Sequence, residues 1–216
     1  MTQTLCIDVV ADVVCPWCYI GWRRLKAAMA QRPHIAFILR WRPYQLDPSI
    51  PEQGLDRKAY MAAKFIDPER RAAMTGVLKA EALSDGITLN FEAITVSPNT
   101  NAAQRLILWA AQAGAQDACA DAVMRAYFEE GRDIGDPVVL ADIGEAVGLP
   151  TPQVLEAFAG ERDKASLTRD AAASREAGVT GVPFMLFDNR FSVIGAQSPE
   201  RLLKAIDKAV ATMVPA

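Results

Sequence analysis

The stretch Val13-Val14-Cys15-Pro16-Trp17-Cys18-Tyr19 marks the point where an apolar run ends and an amphipathic pattern begins. Residues 5–14 are mostly β-branched or apolar, which predicts a strand that is buried on both faces. From Cys18 onward, apolar residues recur at helical spacing with basic residues between them. The sequence therefore predicts a strand that leads into a helix, with a Cys-x-x-Cys pair at the junction.

This junction suits disulfide exchange. A thiolate is the attacking species, and the free N–H groups and partial positive charge of a helix N-terminus stabilise it. We expect Cys15 to lie at that terminus as the attacking sulfur, and Cys18 to lie one turn further in, where it can displace a mixed disulfide. Pro16 fits the first helical turn, where a missing N–H costs nothing. The layout is typical of a thioredoxin-like redox site.

Half of a zinc site and a plain buried pair of cysteines are the alternative interpretations. Zinc takes about four ligands. Besides Cys15 and Cys18, the chain offers only Cys6, Cys119 and a single histidine, His34. We therefore favour the redox interpretation and predict no metal.

The composition is that of an ordinary globular protein, with 216 residues, 51% hydrophobic and 23% charged. A net charge of −3 without a basic block argues against nucleic acid as a partner. No signal peptide is visible, since Asp8 interrupts the first apolar run, and no apolar stretch reaches membrane-spanning length. We therefore expect a cytoplasmic protein that has no membrane partner. In that reducing compartment a Cys-x-x-Cys pair would be catalytic or redox-sensing.

The rest of the chain alternates between strand and helix signals. Residues 35–41 predict a second strand, parallel to the first because a helix connects them, and its nearly continuous apolar content favours a central position. From Asp56 onward the pattern is helical for about a hundred residues, with repeated helix-start signals before proline and glycine stops. Two short apolar runs around residues 188–190 then predict an antiparallel hairpin. A helix capped by Ser198 follows.

Without the helical block, the order of elements is that of the two halves of a thioredoxin fold. We therefore predict an α/β protein with a thioredoxin-like fold and a large all-helical domain inserted after the second strand. The predicted boundaries are 1–48 for the first part of the thioredoxin domain, 49–161 for the inserted domain and 162–216 for the second part. Such an insertion is compatible with an intact core because its ends can lie close together at the surface.

The segment Gly181-Val182-Pro183-Phe184 precedes the third strand of the sheet. A proline there, with its preceding residue extended, can present the backbone of Val182 to an incoming peptide. Given the Cys-x-x-Cys pair and the following hairpin, we predict that the Val182–Pro183 bond is cis and that this loop faces the cysteines. The alternative is a strand-leading proline that only blocks edge pairing.

Together these segments resemble the DsbA-like oxidoreductases, in particular their FrnE-like branch. The resemblance implies thiol–disulfide exchange, with Cys15 as the nucleophile, Cys18 as the resolving cysteine and Val182-Pro183 as the cis-proline loop. Pro16 and Trp17 form the dipeptide between the cysteines. One position departs from the family pattern, because Gln104 stands where a histidine is expected. The matching segments are residues 12–21, 41–46, 98–100, 105–106, 126–128, 131–134, 178–184 and 195–197.

The same architecture occurs in glutathione-dependent isomerases and kappa-class transferases, including 2-hydroxychromene-2-carboxylate isomerase. These enzymes typically place a serine where Cys15 stands and use the thiol of glutathione. The second cysteine favours a protein dithiol over a borrowed thiol. We expect a disulfide-containing protein or a small thiol as the substrate, with no cofactor beyond glutathione as a candidate co-substrate. A binding module whose dithiol only senses redox state is the non-enzymatic alternative.

Overall fold

The computed structural model describes residues 3–212. It contains a four-stranded sheet and a second, two-stranded sheet. The strands are β1 (Gln3–Ala11), β2 (Ile35–Pro43), β3 (Leu55–Asp56), β4 (Val96–Ser97), β5 (Phe184–Phe187) and β6 (Phe191–Ile194). The helices are α1 (Pro16–Ala30), α2 (Arg57–Lys64), α3 (Pro68–Ser84), α4 (Asn101–Gln112), α5 (Gln116–Phe128), α6 (Pro137–Ala146), α7 (Thr151–Ala159), α8 (Lys164–Glu176) and α9 (Pro199–Ala211).

The larger sheet has the strand order β2-β1-β5-β6. β1 pairs in parallel with β2 and antiparallel with β5, so β1 is an inner strand of the sheet. The prediction that the second strand is central is wrong, because β2 lies at the edge. Its apolar residues are explained by α4, α5 and α8, which pack against it, whereas Ile38 is 51% exposed.

The transition from β1 to α1 follows the sequence pattern. Leu5, Ile7 and Val9 are buried, and the strand ends at Ala11, three residues earlier than predicted. A turn then brings the Cys15 N–H to the Asp12 carbonyl oxygen at 3.0 Å. The turn directs the chain into α1, so the cysteine pair lies where the sheet gives way to the helix.

The block between β2 and β5 contains the predicted series of helices. An Asp-Pro start is confirmed at α3 and α6, where the Asp67 and Asp136 carboxylates accept backbone N–H bonds. The block is not all-helical, because β3 and β4 pair antiparallel. Two-residue strands are too short to show an alternating pattern, so the sequence could not reveal them. The predicted domain boundaries stay predictions.

The C-terminal half returns the chain to the sheet. β5 and β6 form the predicted hairpin, and Asp188 and Asn189 adopt positive φ angles of 52° and 56° in its three-residue loop, where the Arg190 N–H donates to the Phe187 carbonyl oxygen at 2.9 Å. Ser198 caps α9, which packs beside α1. Within residues 3–212, no helix is both long enough and apolar enough to cross a bilayer.

Two glycines test how tightly the helical block is packed. Gly131 has a φ of +70°, and a Cβ there would lie 2.5 Å from the Ala93 Cβ. Gly114 has a φ of +69° with no atom near its missing Cβ. We expect Gly114→Ala to lower the free energy of unfolding by about 1–2 kcal/mol, the cost of a left-handed alanine. Gly131→Ala should cost about 1–3 kcal/mol more because the backbone of Ala93 must move.

Urea unfolding of the two variants measures the difference directly, since Gly114→Ala serves as the matched control for backbone strain. Equal losses of stability in both variants would contradict the close approach of Gly131 to Ala93.

Candidate active site

The two cysteines lie at the N-terminus of α1. Cys15 is the N-cap residue, and its carbonyl oxygen accepts hydrogen bonds from the N–H groups of Cys18 at 2.9 Å and Tyr19 at 3.2 Å. Both sulfurs are free thiols, and both residues are buried. Pro16 occupies the first helical turn, and both Pro16 and Trp17 are half-buried. Cys15 is therefore the sulfur placed at the helix start, where a thiolate is stabilised.

The loop before β5 forms the opposite wall of the site. The Val182–Pro183 peptide bond is cis. The Cys15 thiol donates to the Val182 carbonyl oxygen over 3.9 Å. The structure thus brings together residues that are 167 positions apart in the chain.

Gly21 makes this wall possible, and sequence reasoning gave it no role of its own. A Cβ at Gly21 would lie 2.8 Å from Pro183 Cγ, which is closer than carbon atoms approach. A side chain on that face of α1 would push the proline away. A glycine inside an otherwise strong helix pattern was the signal that could have revealed this contact.

Asp12 anchors the turn beneath the cysteines. Its carboxylate accepts the Leu46 N–H at 2.7 Å and the Val14 N–H at 3.5 Å, and the Thr100 hydroxyl also hydrogen-bonds to it. Burial raises the pKa of Asp12 to about 6, although these hydrogen bonds act in the opposite direction. The sequence placed Asp12 within a matching segment but did not predict that it would be buried.

The two sulfurs differ in their surroundings. Burial raises the pKa of Cys18 well above its ordinary value, and its hydrogen bond with Cys15 and the charge of Cys15 raise it further. The charge of Asp12 also raises it, whereas the backbone N–H of Asp12 lowers it. Cys18 therefore holds its proton while the disulfide is open, as expected for a resolving thiol that acts second.

Gln104 replaces the histidine expected from the family pattern. It is buried, and its Nε2 donates to the Ala11 carbonyl oxygen at 3.1 Å. The amide thus ties α4 to the end of β1 without carrying a charge. This position therefore supplies a fixed hydrogen bond and no titrating group.

Helices of the inserted block hold α1 in place. The Tyr19 hydroxyl donates to Glu129, and the Trp22 indole N–H donates to Asp121 at 2.8 Å. The Arg24 guanidinium binds Asp85 at 2.6 Å and also contacts Glu81. None of these contacts was predicted, because their partners are separated by 57 to 110 positions.

A zinc site would need further ligands beside the two cysteines. In the part of the chain covered by residues 3–212, no three side chains of His, Cys, Asp or Glu converge as a metal site would require. Cys119 is buried in α5, and Cys6 lies on β1.

The raised pKa of Asp12 predicts how stability depends on pH. Between about pH 4 and 6 the folded state keeps a proton that the unfolded chain releases, so the free energy of unfolding falls as the pH rises. The substitution Asp12→Asn removes the titrating carboxyl group and with it this decrease in the free energy of unfolding. We therefore expect the stability of the variant relative to wild type to rise by about 2–3 kcal/mol from pH 4 to pH 7.

Urea unfolding at four pH values between 4 and 7 gives this difference, and any pH-independent cost of the amide cancels from it. Asp47→Asn is the control whose difference should stay nearly flat over this range. Hydrogen bonds from Ser49 and Tyr60 lower the pKa of Asp47, so its contribution is lost only below about pH 4. A flat difference for Asp12→Asn would show that Asp12 titrates as it does in the unfolded chain.

Comparisons with known proteins agree with this architecture. A family model described as a DSBA-like thioredoxin domain matches residues 6–207. An uncharacterised protein of Bacillus subtilis is 27% identical over 206 residues, which are 94% of this chain and 96% of that protein.

Solved structures extend the comparison. A probable DsbA oxidoreductase from Streptomyces coelicolor superimposes with a TM-score of 0.88 at 27% identity, over 98% of this chain and 92% of its own. A 2-hydroxychromene-2-carboxylate isomerase superimposes with a TM-score of 0.67 over 94% of this chain and 95% of its own. At 18% identity, that likeness shows the fold alone. The thioredoxin-like fold is thereby confirmed, and the chain belongs to the family of proteins with a DSBA-like thioredoxin domain.

Proposed function

We propose that the protein is a thiol–disulfide oxidoreductase that uses Cys15 and Cys18 as its dithiol. The observation that carries the proposal is the placement of the Cys15 sulfur. It lies at the start of α1 and 3.9 Å from the Val182 carbonyl oxygen, beside the cis proline Pro183. Cys18 lies one helical turn behind it, buried and with a raised pKa. This arrangement separates an attacking sulfur from a resolving one.

The exchange proceeds in two successive thiol–disulfide exchange steps. The Cys15 thiolate attacks one sulfur of the substrate disulfide, forming a mixed disulfide and releasing the other sulfur as a thiolate, which takes up a proton. Cys18 then loses its proton and attacks the Cys15 sulfur, forming the Cys15–Cys18 disulfide and releasing the second substrate thiolate. Two electrons pass from the protein dithiol to the substrate. The reverse sequence oxidises a substrate dithiol.

The backbone around Val182 supports binding of an extended substrate. Because the Val182 carbonyl lies beside the Cys15 sulfur, a chain that carries a disulfide can lie along this loop while its sulfur meets Cys15. A protein disulfide or a small disulfide would satisfy this geometry. We further propose that the chain belongs to the FrnE-like branch and acts in the cytoplasm, where disulfides are substrates more often than structural features.

A glutathione-dependent isomerase or transferase is the second candidate. It is favoured by the architecture shared with the isomerase over 94% of this chain. Such an enzyme would take the reactive thiol from glutathione and would have no need of Cys18. Activity that requires glutathione and survives Cys18→Ser would identify this second chemistry.

Cysteine substitutions test the roles assigned to the two sulfurs. We expect Cys15→Ser to abolish disulfide exchange, because the attacking sulfur is gone. We expect Cys18→Ser to accumulate mixed disulfides through Cys15, because nothing resolves them. An insulin-reduction assay measures the exchange, and mass spectrometry under non-reducing conditions measures the trapped adducts.

Cys6→Ser is the matched control, since Cys6 is the partly exposed thiol on β1 outside the pair. It should leave exchange close to wild type. Exchange that persists in Cys15→Ser would contradict the proposal, and adducts held through Cys18 would reverse the order of attack.

A further inference from the structure

A small cavity lies on the side of the cysteine pair that faces the inserted block. Its volume is about 50 Å³, which is enough for a few water molecules or for one anionic group such as a carboxylate. Val14, the residue before Cys15, forms part of its wall, so the cavity reaches the turn that leads into Cys15. Its polar lining includes the carboxylates of Asp12 and Asp47 and the side chains of Arg57, Lys64, Ser97 and Tyr127.

Arg57 brings an unpaired positive charge to this cavity. Its Nη1 donates to the Tyr127 hydroxyl at 3.0 Å, and its guanidinium lies 5.8 Å from the centre of the Tyr127 ring. Among residues 3–212, no carboxylate oxygen lies within 4.0 Å of it. The tyrosine thus positions the guanidinium without neutralising it.

Lys64, the last residue of α2, is also held by a tyrosine, as Arg57 is at the first position of the same helix. Its Nζ donates to the Tyr60 hydroxyl at 2.7 Å and lies 5.0 Å from the centre of the Tyr60 ring. It too has no carboxylate partner within 4.0 Å in the described part of the chain. The Asp47 carboxylate in the wall already accepts hydrogen bonds from Tyr60 and Ser49. Each cation therefore keeps N–H donors free for a ligand, while the Asp12 and Asp47 carboxylates of the same wall attract Lys64 at longer range.

A buried hydroxyl also lines the cavity without a partner. Ser97 is 2% exposed, and its Oγ makes no hydrogen bond with any described residue. An unsatisfied buried hydroxyl is unfavourable, so its presence here points to an acceptor that the protein itself does not supply. The Asp12 carboxylate does not fill that role, since its oxygens are engaged by the N–H groups of Leu46 and Val14.

We propose that the cavity between Arg57 and Lys64 binds the carboxylate of a small disulfide whose sulfur reacts at Cys15. The inference rests on the proposed disulfide exchange and names its substrate class, a low-mass disulfide that carries carboxylates. The guanidinium and the ammonium would form charge-assisted hydrogen bonds to the carboxylate, and the Ser97 hydroxyl would donate a third. A cavity of this size holds the anionic group, while the rest of the substrate lies along the open site.

The test compares two disulfides that differ in charge and little else. Dithiodipropionate carries a carboxylate where hydroxyethyl disulfide carries a hydroxyl. Reduced protein is mixed with an excess of either compound, and the second-order rate constant of Cys15–Cys18 oxidation is followed by alkylation of the remaining thiols. We expect Arg57→Gln and Lys64→Gln each to slow the reaction with dithiodipropionate about tenfold, as the loss of a charge-assisted hydrogen bond implies.

The same variants should react with hydroxyethyl disulfide within about twofold of wild type, because that substrate offers no carboxylate. Lys58→Gln is the matched control. It removes an exposed positive charge from the same helix but does not touch the cavity, so both rates should stay at the wild-type value. Glutathione disulfide, as a third substrate, shows whether a peptide carboxylate is recognised in the same way.

Each outcome is decisive. If wild type fails to react with every disulfide, the proposed exchange function is wrong. If the neutral disulfide reacts but Arg57→Gln and Lys64→Gln leave the dithiodipropionate rate unchanged, the exchange function stands and the carboxylate cavity is wrong. Equal slowing with both disulfides would show general damage to the site and would also overturn the cavity. Slowing seen only with a disulfide-linked acidic peptide would assign the cavity to a protein substrate instead.

Discussion

The approach of Pro183 to the first turns of α1 is the constraint on which the site depends. The approach requires a residue without a side chain at Gly21, since any Cβ there would overlap the proline ring. A glycine inside a helix costs about 0.5–1 kcal/mol relative to alanine. The protein tolerates this cost because the contact places the Val182 carbonyl beside the Cys15 sulfur. The chemistry of the pair thus depends on an absent side chain six residues away.

The sheet supplies the other half of that constraint. β1 and β5 are neighbours in the order β2-β1-β5-β6, so the chain that leaves β1 and the chain that enters β5 meet at the same end of the sheet. Val10 lies opposite Phe184 in this pairing. The turn that carries Cys15 and the loop that carries Pro183 therefore face each other as a consequence of strand register. A one-residue slip of this register would reverse which side chains face the core.

Patterns that are local in sequence were the ones that could be predicted. The strand–cysteine–helix junction, the hairpin after Pro183 and most helix starts each depend on residues within a few positions of one another. The edge position of β2 could not be predicted in the same way. Its apolar residues are covered by helices that come much later in the chain, and burial by a helix leaves the same sequence pattern as burial by another strand.

The same distinction applies to the site. The cysteines and the proline carry signals of their own residue types, whereas the burial of Asp12 depends on Leu46 and Thr100, which come from two other segments. The cavity beside Val14 is likewise assembled from β4, α2 and α5, with Ser97, Arg57 and Tyr127 as its polar lining. Neither feature has a short motif, because neither exists until the inserted block packs against the sheet.

The sheet half and the inserted block contribute different groups to the site. The sheet half supplies the two cysteines and the cis-proline loop, so under the proposed function changes there alter the exchange chemistry itself. The inserted block supplies the partners of Tyr19 and Trp22, which fix the position of α1. It also supplies Arg57 and Lys64, which line the cavity next to Val14. If the proposed function holds, substitutions in the block alter which disulfides are accepted while Cys15, Cys18 and Pro183 keep their geometry. Under the proposed function, specificity can change without a change in the thiol chemistry, because the charges proposed to select a substrate and the sulfurs proposed to react with it belong to different elements.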